Sequence, residues 1–152
     1  MKLLLDTHSF IWFIEGNPRL SETARTLIAD GGNEIFLSVA SLWEMAIKIS
    51  LGKLGLSEPY EVFIATPLQL NQIGLLDISF NHTVRVTKLP FHHRDPFDRL
   101  LNAQSLVEDI PIVSIDAKLD DYGVRRIWKN DTYQSVTTDE IGQENPLETK
   151  YS

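Results

Sequence analysis

The 152-residue chain contains no cysteine. Disulfides, a thiolate zinc centre and a thiol nucleophile are therefore excluded, although that absence does not fix the compartment. No stretch approaches the roughly 18 consecutive apolar residues that a membrane-spanning helix needs. Met1-Lys2-Leu3-Leu4-Leu5 begins like a signal peptide, but Asp6 and His8 interrupt it before an apolar region of about 7–15 residues can form. A cytoplasmic protein with no membrane association is the expectation. There is no G-x-S-x-G signature for a serine nucleophile, the four histidines lack ligand spacing for zinc, and no internal repeat is present. Positive charge is also scarce: the formal net charge is −7. That balance is uneven, because residues 1–129 carry 13 basic and 16 acidic side chains, whereas 130–152 carry one and five.

What is present is an ordinary globular composition, 43 % hydrophobic and 23 % charged, long enough to bury a core. The pattern alternates strand and helix. Residues 2–5, 35–38, 75–78, 112–115 and 124–127 read as strands. Helices are expected over 8–15, 21–30, 39–51, 80–88 and 96–108, with 59–72 split into two short helices at Pro67. Asp95-Pro96 supplies an N-cap followed by a helix-starting proline. This alternation predicts an α/β fold, a three-layer α/β/α sandwich on a mainly parallel sheet of four or five strands. A single domain is expected over 1–129, followed by a polar, acidic and flexible tail over 130–152.

Four acids fall where such a fold binds ligands, at strand C-termini and helix N-termini. Asp6 closes the run Leu3-Leu4-Leu5, and Asp116 closes Ile112-Val113-Ser114-Ile115. Glu44 and Asp98 are expected in the opening turns of their helices. Each has an ordinary structural explanation. Asp6 and Asp116 can cap the following helices, Ser41-x-x-Glu44 matches a capping box, Glu44 and Lys48 form an i, i+4 pair, and Asp98 suits a helix dipole. Together they describe a carboxylate cluster whose members repel one another unless a divalent cation neutralises them. Mg²⁺ or Mn²⁺ fits, since both favour hard oxygen ligands with coordination positions left for water and phosphate. Such neutralisation would move residues 1–129 from −3 to about +1. Arg85, Lys88, Arg94 and Arg99, with His92 and His93 among them, form a basic segment beside Asp98 and could contact phosphate. Trp12 and Trp43 sit on apolar helical faces and read as core.

The chain resembles the PIN-domain superfamily, specifically the VapC-like toxins of type II toxin–antitoxin pairs. The matching segments are Leu4-Leu5-Asp6-Thr7-His8 with Trp12, Leu37-Ser38-Val39-Ala40-Ser41-Leu42-Trp43-Glu44 with Lys48 and Gly52-Lys53-Leu54, Leu89 to Leu101, and Val113-Ser114-Ile115-Asp116. The His93-Arg94-Asp95-Pro96-Phe97-Asp98-Arg99 stretch is the most specific of them. The resemblance spans about residues 2–128 and implies a metal-dependent endoribonuclease in which Asp6, Glu44, Asp98 and Asp116 hold Mg²⁺ or Mn²⁺. It also implies an RNA substrate, a cognate antitoxin that occludes the site, and a homodimer. Thr7, Ser114, Asp95, Lys48, Arg94 and Arg99 adjoin the acids and are candidates for orienting them or touching substrate, with Asp95 also explained as an N-cap. A catalytically inactive PIN-like module binding RNA or protein is the alternative. An aspartyl-phosphate enzyme fits less well, because a phosphatase would need Asp where His8 stands. DNA cleavage stays open, since the phosphate chemistry itself does not read the 2′-OH.

Overall fold

In a computed structural model, residues 1–129 are described; the polar stretch assigned to a tail at 130–152 lies outside them. Five parallel strands, β1 (Lys2–Leu5), β2 (Glu34–Ser38), β3 (Gly74–Leu76), β4 (Ile112–Val113) and β5 (Arg126–Ile127), form one sheet in the order β3-β2-β1-β4-β5. Between them run α1 (Thr7–Glu15), α2 (Glu22–Ala29), α3 (Val39–Ser50), α4 (Tyr60–Leu70), α5 (Phe80–Lys88) and α6 (Pro96–Glu108), with a 3₁₀ turn over Ala117–Tyr122. Parallel strands need crossover connections, and helices serve as crossovers while covering the sheet faces.

β1 shows how sequence becomes layers. Its residues alternate between faces: Leu3 and Leu5 join one core with Phe10, Ile28, Met45, Phe63 and Val113, while Leu4 joins a second with Leu101, Ala103, Ile112 and Leu119. All three leucines are fully buried. Burial on both faces explains the continuous apolar run, at about 1.5–3 kcal/mol per leucine. No helix among the described residues is long and apolar enough to cross a membrane.

Three local expectations are corrected. First, α4 runs unbroken from Tyr60 to Leu70 with Pro67 inside it. Phe63, Ile64 and Pro67 are buried on one side, so packing compensates for the backbone hydrogen bond that the proline ring removes. Second, Ser38 caps α3, its hydroxyl accepting the Ala40 N–H, so the Ser41-x-x-Glu44 capping box does not form. Helix follows strand with no loop between them, which moves Glu44 from the first turn into the second. Third, this helical phase turns Ser41, Glu44 and Met45 inward and leaves Trp43 62 % exposed, not in the core. Trp12 is buried, edge-on to Trp128. The short strands are shorter than expected: β3 ends at Leu76, β4 at Val113, and β5 begins at Arg126.

β1 is central, flanked by β2 on one side and β4 on the other. The strand order reverses between β1 and β4, and the strand C-termini at such a point are where open α/β sheets bind ligands.

Candidate metal centre

Asp6 and Asp116 emerge from neighbouring strands. The Asp6 N–H donates to the Val113 carbonyl at 3.1 Å, continuing the β1–β4 pairing past the strand end. Asp6 caps α1, accepting the Ser9 N–H at 2.8 Å, and Asp116 caps the 3₁₀ turn, accepting the Lys118 N–H at 3.0 Å. Ser114 connects the two acids: its fully buried hydroxyl accepts the Asp116 N–H at 3.0 Å and also hydrogen-bonds Asp6. The capping explanations are thus real, and they do not compete with clustering. One carboxylate oxygen suffices for a cap, which leaves the other for the cluster.

α6 supplies Asp98. Asp95 caps this helix as expected, its Oδ1 accepting the N–H groups of Phe97 at 2.8 Å and Asp98 at 3.3 Å. Asp98 and Asp116 then meet at His93, a residue of the basic segment. His93 Nε2 lies 2.8 Å from Asp116 Oδ2 and 3.2 Å from Asp98 Oδ2. One ligand-type atom from each of these three residues falls within a 4.8 Å group. Asp6 and Glu44 stand outside that close group, yet both act on Asp98 electrostatically. Burial, then the charges of Asp95, Asp6, Glu44 and Asp116, push the Asp98 carboxyl well above its ordinary value near 3.8. Asp6 is raised too, chiefly by burial, against the opposing effects of His8 and hydrogen bonds from Ser114 and Ser9.

Glu44 is buried and held from both sides. Thr7 Oγ1 donates to its Oε1 at 2.6 Å and lies 3.0 Å from Ser41 Oγ, while Lys48 Nζ reaches its Oε2 at 2.7 Å. Burying a carboxylate is costly unless its oxygens are bonded, and this chain meets that need with one hydroxyl and one ammonium. His8, next to Thr7, senses Asp6, Glu44 and Asp95, and burial lowers its proton affinity.

The basic segment divides. Arg94 is exposed. Arg99 is buried: its guanidinium donates to the carbonyls of Pro90 (2.8 Å), Val86 (3.1 Å) and Leu89 (3.3 Å) and to Tyr122 Oη (3.4 Å), with Phe91 stacked 4.1 Å away. Every one of these partners is neutral. Arg99 braces the loop that carries His93, and this geometry leaves it no open face for phosphate.

The donor set suits a hard divalent cation. Asp98 and Asp116 offer carboxylate oxygens within one small group, and the burial and neighbouring acids that raise the proton affinity of Asp98 both disfavour its uncompensated charge, which a cation would neutralise.

Comparison with known proteins identifies the family and the fold. Ribonuclease VapC16 of Mycobacterium tuberculosis is 37 % identical over 70 residues, an alignment spanning 43 % of this chain and about half (48 %) of that protein. In fold, the chain is similar to VapBC2 of Rickettsia felis bound to a DNA fragment from their promoter (TM-score 0.65, 18 % identity, covering 85 % of this chain and 100 % of that one). It is also similar to VapBC-1 of nontypeable Haemophilus influenzae (TM-score 0.57, 16 % identity, 84 % and 97 %). The PIN-domain family model matches residues 3–124, a span that takes in all four acids and both flanking strands, and the chain belongs to that family.

Proposed function

We propose that this chain is a Mg²⁺- or Mn²⁺-dependent endoribonuclease, the toxin of a toxin–antitoxin pair. One observation carries the reading: acids from different elements, Asp98 on α6 and Asp116 after β4, converge within a 4.8 Å group, with Asp6 and Glu44 close enough to raise the proton affinity of Asp98. The ribonuclease name of the VapC16 relative and the VapBC identity of the structural neighbours support the reaction class and the antitoxin partner.

Asp98 and Asp116 would hold the ion, with Asp6 and Glu44 completing the negative surround. A bound divalent ion supplies charge neutralisation at the phosphate and acidifies water for attack on phosphorus. The chain's own residues prepare that chemistry. Ser114 fixes Asp6 and Asp116 relative to each other, and Thr7 sets the rotamer of Glu44. Lys48 limits the negative charge that RNA phosphates meet. Arg94 is the exposed cation of the loop and a candidate for phosphate contact. An antitoxin segment bearing Arg or Lys would enter the same acids through charge-assisted hydrogen bonds and compete with the metal.

The test is cleavage of an RNA pool with Mg²⁺ by purified wild type, Asp6→Asn and Asp98→Asn. Both substitutions should abolish cleavage while preserving the fold. Full activity in both would refute the assignment, and Mn²⁺ binding without cleavage of any RNA would favour the inactive binding module.

A further inference from the structure

We propose that His93 is a positioning residue for Asp98 and Asp116 and not itself a metal ligand: its Nε2–H donates to Asp116 at 2.8 Å, lies 3.2 Å from Asp98, and sets their separation before an ion arrives. The inference rests on the divalent-metal reading above.

Distance alone would make His93 a third ligand, since its Nε2 lies within 3.2 Å of both acids. The other ring nitrogen decides against this. The Asp95 backbone N–H points at His93 Nδ1 from 3.1 Å. Two N–H groups cannot face each other at that distance, so Nδ1 is the acceptor and the ring proton sits on Nε2. A metal-bound histidine has the reverse requirement: one nitrogen gives its lone pair to the metal and the other donates its N–H to a carboxylate, carbonyl or water. Here the position for that acceptor is filled by a donor.

The Asp95 N–H cannot easily turn away. Asp95 is the N-cap of α6, and its side chain is bonded to the Phe97 and Asp98 amides. The ring is equally constrained. His93 is buried, and its own N–H donates to Tyr122 Oη at 2.8 Å. Tyr122 is buried in turn beside Arg99, which ties the preceding carbonyls of Val86, Leu89 and Pro90 to α6. Inverting the tautomer would break the Asp95–His93 bond, and rotating the ring would break the contacts to both carboxylates. The chain thus contains a donor fixed between two ligands that come from separate elements.

Three measurements on the full chain test this. Long-range ¹H–¹⁵N correlation of the metal-free wild type should show His93 protonated on Nε2. Pulsed electron paramagnetic resonance of the Mn²⁺-loaded protein should show no directly bound histidine nitrogen. Titration of Mn²⁺ should show about 10–100-fold weaker binding in His93→Ala, the loss typical of an outer-shell partner. His93→Gln, whose amide N–H can occupy the place of Nε2–H, should recover most of that affinity. A purely structural histidine would lower the melting temperature without this pattern of loss and rescue.

An Nδ1–H tautomer, a bound ¹⁴N coupling that disappears in His93→Gln, or unchanged Mn²⁺ affinity in His93→Ala would each overturn the positioning role. Those results would leave the metal-dependent nuclease reading intact. A wild type that binds no Mn²⁺ would instead overturn both. If His93→Ala fails to fold, the tautomer and the resonance spectrum of the wild type still decide.

Discussion

Removing the Thr7 hydroxyl isolates the support beneath Glu44. Thr7→Val preserves shape and branching but deletes the 2.6 Å donor to a buried carboxylate oxygen. A hydrogen bond to a charged group contributes about 1.5–3 kcal/mol, and leaving the acceptor unbonded forfeits most of it. Lys48 still holds the other oxygen, so the expected loss is about 2 kcal/mol. For a chain of this size that lowers the melting temperature by roughly 4–8 °C. A double-mutant cycle with Glu44→Gln separates the carboxylate bond from general packing. A neutral acceptor makes a bond about half as strong, so Thr7→Val should cost only about 1 kcal/mol in that background. Urea denaturation of the four proteins measures the difference. Equal costs in both backgrounds, or a single-mutant cost below about 0.5 kcal/mol, would refute the claim that Thr7 holds Glu44 through its charge.

Two other outcomes follow from the same geometry. Burial and neighbouring acids raise the Asp98 carboxyl, so the folded metal-free protein binds that proton more tightly than the unfolded chain. Its contribution is fully present below the ordinary value near 3.8 and is lost as pH rises through the higher folded value. In pH-dependent denaturation, Asp98→Asn should reduce that decline, and Mn²⁺ should oppose it only in wild type; a decline of equal size in the variant would contradict the assignment. Arg99→Ala should destabilise the fold by on the order of 3 kcal/mol, because it removes a buried cation's bonds to three carbonyls and opens the loop before His93. Urea denaturation checks this, and a loss below about 1 kcal/mol would show that the loop holds without its brace.

Much of the architecture was legible because it rests on local signals. Buried strands read as unbroken apolar runs, Asp95-Pro96 opened α6 where expected, and Asp6 and Asp116 were visible as the acids that follow the apolar runs of β1 and β4 and cap the next turn. Caps and faces were harder where two signals overlapped. The Ser41-x-x-Glu44 spacing suggests a cap at Ser41, but β2 ends at Ser38 and that residue caps the helix. The helix bounds agree closely with the expected 39–51; the face that packs against the rest of the fold, turning Glu44 inward and leaving Trp43 exposed, is decided by tertiary contacts. Pro67 misled for a related reason: the cost of proline is a local rule, whereas the burial that offsets it is tertiary.

The role of His93 was not legible at all. A histidine beside an arginine in a loop looks like a phosphate contact, and nothing local shows that the chain folds this ring between two acids that lie 5 and 23 residues further along. The Asp95 amide two residues on, at the cap before Pro96, was the one available signal. Arg99 was misread similarly, as its carbonyl partners are assembled by the α5–α6 packing.

The most direct test of the shared site is the position of Mn²⁺ in crystals of the metal-soaked protein, read from its anomalous scattering. The expected result is a peak bonded to oxygens of Asp98 and Asp116, with Asp6 and Glu44 facing it and His93 Nε2 outside its coordination shell. A peak elsewhere on the surface, or four acids left engaged only with their own helix ends while Mn²⁺ saturates the crystal, would contradict the account.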